Sequence, residues 1–98
     1  MAADKVRVLF RGLPSEGELA SGEFDAVLKR GSTVADLLAE MAAAASGKER
    51  LVLDTNRGTL RPEYLLTLNG RFLDKPRFAS TVLQDGDAVE VFPMPSGG

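Results

Sequence analysis

The sequence predicts an α+β domain: a mixed sheet of about four to five strands, with one main helix packed on one face. Three observations predict it. Residues 5–11 and 23–29 alternate apolar and polar side chains with the period of two that marks half-buried strands. Residues 33–45 carry the signature of one capped amphipathic helix. Residues 64–68 and 88–92 are short apolar runs bounded by turn-forming residues, so strands resume after the helix.

The chain has 98 residues, which accommodates one core and no second. Hydrophobic content of 44% beside 27% charged residues is ordinary for a globular domain. A net charge of −2 supplies no basic face, which argues against a nucleic-acid partner. The chain has no cysteine, which excludes a disulfide framework, a thiolate metal site and a cysteine nucleophile. It also has no histidine, so the commonest general base and metal ligand is missing. No apolar h-region follows Met1, and no run is long enough to cross a bilayer. A cytoplasmic protein with no membrane partner is expected.

In order along the chain, Lys5-Val6-Arg7-Val8-Leu9-Phe10-Arg11 places Val6, Val8 and Phe10 on one face of a strand. Leu9 interrupts the polar face. Gly12-Leu13-Pro14-Ser15-Glu16-Gly17 reads as a turn-rich loop. A second strand follows at Glu23–Lys29, with Phe24, Ala26 and Leu28 on one face and Ser21-Gly22 belonging to a long hairpin connection. Thr33 is placed to cap a helix, with Asp36 three residues on favouring the same end. Val34, Leu37, Leu38 and Met41 make its apolar stripe, the alanines 42–45 favour helix, and Gly47 is a natural stop. The helix is predicted over Val34 to about Ala45. The stretch from Ser46 to Glu63 is polar and turn-forming apart from Leu51-Val52-Leu53, and a turn of helix or a small strand is expected inside it. Tyr64-Leu65-Leu66-Thr67-Leu68 reads as a strand, and Asn69-Gly70 as a tight hairpin turn into a short returning strand at Arg71-Phe72-Leu73. Asp85-Gly86-Asp87 turns the chain into a last strand, Ala88–Phe92, which could lie parallel to the first at the centre of the sheet.

Pro93 and Pro95 have no N–H to give a ladder and bias Phe92 and Met94 towards extended backbone. The division expected is therefore a domain over residues 1–92 and an extended arm over 93–98. Six extended residues span at most about 20 Å. The arm ends in Gly97 and Gly98, which lack Cβ atoms and can thread a narrow channel to present a carboxylate.

Gly31-Ser32-Thr33-Val34-Ala35-Asp36-Leu37-Leu38, then Leu68-Asn69-Gly70-Arg71, then Leu83-Gln84-Asp85-Gly86-Asp87-Ala88-Val89-Glu90-Val91-Phe92-Pro93 running into Ser96-Gly97-Gly98, together resemble the MoaD/ThiS family of ubiquitin-like sulfur carriers. The resemblance is nearest to the small subunit of molybdopterin synthase, covers most of the chain and implies the β-grasp, ubiquitin-like fold. The stretch 46–63 is longer than is typical of that subunit, and residues 12–22 carry no family signature.

The resemblance implies a carrier rather than an enzyme. An E1-like partner would use ATP and Mg²⁺ to adenylate the Gly98 carboxylate, and a persulfide or sulfide would then displace AMP to leave a thiocarboxylate. The chain itself would bind no cofactor and no metal. A second partner, such as a synthase large subunit, would take the sulfur, with molybdopterin (Mo or W pyranopterin) biosynthesis the pathway implied most directly and thiamine, cysteine and thiolated tRNA as open alternatives. Pro95, Ser96 and Gly97 would line the partners' tail channels. Phe72, Phe92 and Met94 would form an apolar contact patch, with Arg71, and also Arg11, available for acidic groups on a partner. Phe72 and Phe92 fit ordinary core positions equally well. The same tail chemistry also serves protein modification, through an isopeptide bond from Gly98 to a lysine. A β-grasp interaction module with an incidental tail is a third reading. A free-standing enzyme is disfavoured, because Glu23, Asp25 and Asp87 show no paired, motif-like spacing.

Overall fold

In the computed structural model, residues 3–15, 18–45 and 49–94 are described. β1 (Ala3–Ser15) and β2 (Glu18–Lys29) form an antiparallel hairpin, followed by α1 (Val34–Ala44). After α2 (Glu49–Val52) come the two-residue strands β3 (Leu53–Asp54) and β4 (Thr59–Leu60). β5 (Tyr64–Leu68), β6 (Arg71–Phe72), a 3₁₀ turn at Lys75–Arg77 and β7 (Ala88–Pro93) complete the order. The main sheet has five strands in the order β2-β1-β7-β5-β6. β1 and β7 are parallel at its centre, Arg7 opposite Ala88 through Phe10 opposite Val91. Every other pairing is antiparallel. This is the β-grasp architecture expected.

Alternation decides which side of the sheet is covered. Val6, Val8 and Phe10 of β1, Leu28 of β2, Tyr64 and Leu66 of β5, and Val89 and Val91 of β7 all point to the buried side. There they meet Val34, Leu37, Leu38, Met41 and Ala42 of α1 in one cluster. Each such side chain, fully buried, contributes about 1.5–3 kcal/mol relative to exposure. The helix begins where the cap dictates. Thr33 Oγ1 accepts the Asp36 N–H at 3.1 Å, and an Asp36 carboxylate oxygen accepts the Thr33 N–H at 2.9 Å, a reciprocal capping box. The proposed stop at Gly47 lies outside the described residues, as does the side chain of Phe24.

Residues 12–15 and 18–22 differ from expectation. They are paired strand, not a turn-rich loop. A register shift between Phe10 and Leu13 sets Arg11 and Gly12 against Ser21 alone, so a bulge absorbs the irregularity and the hairpin continues. β7 covers β1 only up to Phe10, so this distal ribbon is an edge, where a proline such as Pro14 removes no central hydrogen bond.

The stretch 46–63 holds both kinds of element expected of it. Val52, Leu53 and Leu60 are buried in the main core. The turn between β3 and β4 is closed by Asp54, whose carboxylate accepts the N–H groups of Asn56 and Arg57 at 3.0 and 3.1 Å. This segment therefore completes the core beneath α1.

Candidate functional site

Asn69-Gly70 makes the two-residue turn between β5 and β6, with φ of 52° at Asn69 and 85° at Gly70, as a type I′ hairpin needs. The Asn69 side chain also ties this turn to β7. Its amide donates to an Asp87 carboxylate oxygen at 2.9 Å, and its carbonyl accepts the Ala88 N–H at 2.8 Å. The other Asp87 oxygen accepts the Gln84 N–H at 2.8 Å, and Asp85 accepts the Lys5 N–H at 2.8 Å. The Leu-Asn-Gly and Asp-Gly-Asp segments thus form one clasp that aligns the start of β7 with both β1 and β5.

The other end of β7 carries the root of the tail. Here the strand runs one residue further than expected. Pro93 stands opposite Tyr64 inside the ladder, and the Met94 N–H donates to the Glu63 carbonyl at 2.8 Å. Pro93 does not end the pairing because the missing donor falls at a non-hydrogen-bonded position. The bonds made by residues 69 and 88, and by 63 and 94, place residue 93 out of phase with them. Residues 95–98, with Pro95, Ser96, Gly97 and Gly98, lie outside the described residues.

The sheet face away from α1 divides in two. On β1 and β2 the charges neutralise one another across the strands: Lys5 with Asp25 at 3.9 Å, and Arg7 with Glu23 at 3.3 Å. Arg11, read from the sequence as a solvated surface residue or one available to a partner's acids, instead donates from Nε to Glu90 of β7 at 2.9 Å. Its bulged position beside β7 brings it within reach of that acid. Glu23, Asp25 and Asp87 are thereby engaged in structural contacts.

On β7, β5 and β6 the same face is apolar at Phe92, Leu65 and Phe72, with Thr67 and Glu90 between them. Phe92 stands opposite Leu65, and Phe72 opposite Thr67, on one side of the sheet. Phe72 is 58% exposed and Met94 49%, while Phe92 is half-buried. The core alternative for Phe72 is therefore wrong: β6 is an edge strand of two residues, and Phe72 points away from the helix. Phe72 and Met94 converge on one groove of about 390 Å³, also lined by Pro62, Leu65, Leu73 and Pro76. Phe92 lies beside Leu65 on the open face and is not among the groove's lining residues. Arg71 is exposed, next to Phe72 on β6. The sequence reading missed the groove's other walls, Pro62, Leu73 and Pro76. Pro62 comes from the turn before β5, Leu73 and Pro76 from the segment after β6, and only Leu73 has an apolar neighbour to mark it.

Among the described residues, no group of acidic side chains could hold a metal ion, and no helix is long and apolar enough to cross a membrane.

Comparison with known proteins agrees with this arrangement. A family model described as ThiS family matches residues 15–98. No curated protein matches the chain. Among solved structures, the solution structure of the Haloferax volcanii HVO 2177 protein is 26% identical with a TM-score of 0.69, over 98% of this chain and 88% of that one. The solution structure of Urm1 from Trypanosoma brucei is 25% identical with a TM-score of 0.63, over 100% of this chain and 99% of that one. The crystal structure of SAMP1 from Haloferax volcanii is 20% identical with a TM-score of 0.60, over 96% of this chain and 99% of that one, a likeness of fold. With the clasp, the central parallel pair and a family match that runs to the last residue, the chain belongs to the ThiS family of ubiquitin-like sulfur carriers.

Proposed function

We propose that this protein carries sulfur on the carboxyl carbon of Gly98. One observation carries the reading: the central strand stays hydrogen-bonded through Met94, so a rigid sheet holds the root of the tail beside an exposed apolar groove. From there four residues reach at most about 14 Å into a partner. Gly97, Ser96 and Pro95 occupy the partner's channel, and Gly98 is the residue presented for reaction.

The chemistry follows from the weakness of a carboxylate as an electrophile. A Gly98 carboxylate oxygen attacks the α-phosphorus of ATP, pyrophosphate leaves, and an acyl-adenylate remains. Sulfide, or a persulfide followed by a thiol reductant, attacks the carboxyl carbon and expels AMP. The product is a thiocarboxylate. The E1-like partner supplies the ATP site, the Mg²⁺ and the acid–base groups. This chain binds no cofactor and contributes a positioned carboxylate, a docking face of Phe72, Phe92 and Met94, and Arg71 at the β6 edge on the other side of the sheet. An acceptor enzyme, such as a synthase large subunit, then takes the sulfur. We assign the pathway to molybdopterin biosynthesis in the cytoplasm, on the sequence motifs shared with the synthase small subunit.

The test is the intact mass of the protein after incubation with ATP, Mg²⁺, its cognate activating enzyme and a sulfur donor. The expected result is a gain equal to one oxygen replaced by sulfur, localised to Gly98 and absent when Gly97 and Gly98 are deleted. Adenylation followed by bonding to lysines of other proteins would identify a modifier instead. No reaction with a verified cognate activator would leave an interaction module.

A further inference from the structure

The Asn69-Gly70 turn has a covalent chemistry of its own. Asparagine is a thermolabile residue, and a following glycine leaves its own nitrogen unshielded by any side chain. That nitrogen can attack Cγ of the asparagine and give up its proton to solvent. Nδ2 then leaves as ammonia and a five-membered succinimide closes. Water opens the ring at either carbonyl, leaving aspartate or an isoaspartate whose main chain runs through the former side chain. Asn69 and Gly70 are both exposed, and a Cβ built on Gly70 would meet nothing within 4 Å. Among the described residues no group accepts the Gly70 N–H. Two features of the fold oppose the reaction. The left-handed backbone of Asn69, with φ of 52°, turns the Gly70 nitrogen away from Cβ, whereas ring closure needs both on the same side of the Cα–C bond. The side chain is also held at both ends on β7, its carbonyl accepting the Ala88 N–H at 2.8 Å and its amide donating to Asp87 at 2.9 Å.

We propose that Asn69 is a site of spontaneous modification, deamidation through a succinimide with Gly70, which the Asp87–Ala88 clasp restrains in the folded protein and which makes any loss of that clasp permanent. Opening the clasp frees the side chain and the turn together, so Cγ and the Gly70 nitrogen can meet. The product cannot close the clasp again. A carboxylate at position 69 accepts hydrogen bonds and cannot donate one, and it stands against the Asp87 carboxylate, so repulsion replaces the former bond. The isoaspartate form also lengthens the main chain by one atom, and a two-residue turn cannot absorb that without disturbing the pairing of β5 with β6. Asn56 supplies an internal reference. Its next nitrogen belongs to Arg57, carries a side chain beside it and already donates to Asp54 at 3.1 Å.

The proposal goes beyond the tail chemistry and does not depend on it. The experiment incubates the full-length protein at neutral pH and physiological temperature and follows, by peptide mapping, the mass gain of an amide converted to an acid at Asn69 and at Asn56. A synthetic peptide, Leu-Thr-Leu-Asn-Gly-Arg-Phe, gives the unrestrained rate. Asn69 of the folded protein should react at least about tenfold more slowly than the peptide. Asp87→Ala, which removes the acceptor of the Asn69 amide, should raise the Asn69 rate about tenfold and leave Asn56 unchanged. Asp87→Asn keeps the volume and one acceptor oxygen, should raise the rate less, and serves where the alanine variant does not fold. Thr33→Ala weakens the helix cap and not the clasp, so it should leave the Asn69 rate near that of the unaltered protein. The deamidated fraction, separated by its added negative charge, should show amide shifts at Arg71, Phe72, Gln84 and Ala88 with α1 unmoved. Equal rates in protein and peptide, no acceleration in either Asp87 variant, or equal acceleration by Thr33→Ala would each overturn the proposal. The assay contains neither ATP nor an activating enzyme, so a failure of sulfur loading leaves its result untouched.

Discussion

Asn69 does two jobs with one residue. Its backbone takes φ of 52°, which costs most side chains about 1–2 kcal/mol, and its amide joins the β5–β6 turn to Asp87 and Ala88. Asn69→Ala loses both the hydrogen bonds and the tolerance for positive φ, and should destabilise the domain by about 2–3 kcal/mol in urea unfolding. Asn69→Gly keeps the turn and loses only the clasp, so a smaller loss of about 1–2 kcal/mol is expected. Equal losses for the two variants would show that backbone strain contributes nothing here. The sequence marked Asn69 as a turn residue because Asn-Gly is a local signal. The link to Asp87, eighteen residues away, carried no mark, since it exists only once β5 and β7 are neighbours.

At the scale of elements, α1 shows how far local chemistry reaches. Thr33, Asp36 and the stripe Val34, Leu37, Leu38, Met41 place its start and its buried face without help from the rest of the chain. Thr33→Ala removes the acceptor for the Asp36 N–H and should cost about 1 kcal/mol, measured by denaturant titration, with the helix otherwise intact by amide shifts. The hairpin β1–β2 shows the reverse. Gly12, Pro14 and Gly17 read locally as a loop, yet 12–15 are strand because the partner strand supplies hydrogen bonds and a bulge absorbs the extra residue. The last strand likewise passes Phe92. Pro93 lacks a donor, but its phase in the ladder requires none.

At the scale of the whole molecule, one face of the sheet is buried against α1 and the other is open. Leu37→Ala, in the core, should destabilise by about 2–5 kcal/mol through lost burial and the cavity left behind. Phe72→Ser, on the exposed face, should change stability by no more than about 0.5 kcal/mol. In the activation assay the same substitution should lower kcat/KM for the carrier about tenfold with little change in kcat, because it weakens docking and leaves Gly98 in place. A fall in kcat with KM unchanged would instead place Phe72 in the chemical step.

The sequence by itself determined the elements whose causes are local: the capped helix, the alternating strands, the Asn-Gly turn and the two prolines flanking Met94. It also carried the family resemblance, because those motifs stand in order along the chain. Tertiary structure alone decided that Phe72 is exposed, that Arg11 is occupied by Glu90, and that Val52, Leu53 and Leu60 complete the core. It alone assembled the groove from Pro62, Leu65, Phe72, Leu73, Pro76 and Met94. The physical reason is the same in each case. Side-chain periodicity and capping act over three or four residues. Exposure, ion pairing and a groove wall depend on which strand lies alongside, and here the central pair, β1 and β7, joins residues about eighty positions apart in the sequence.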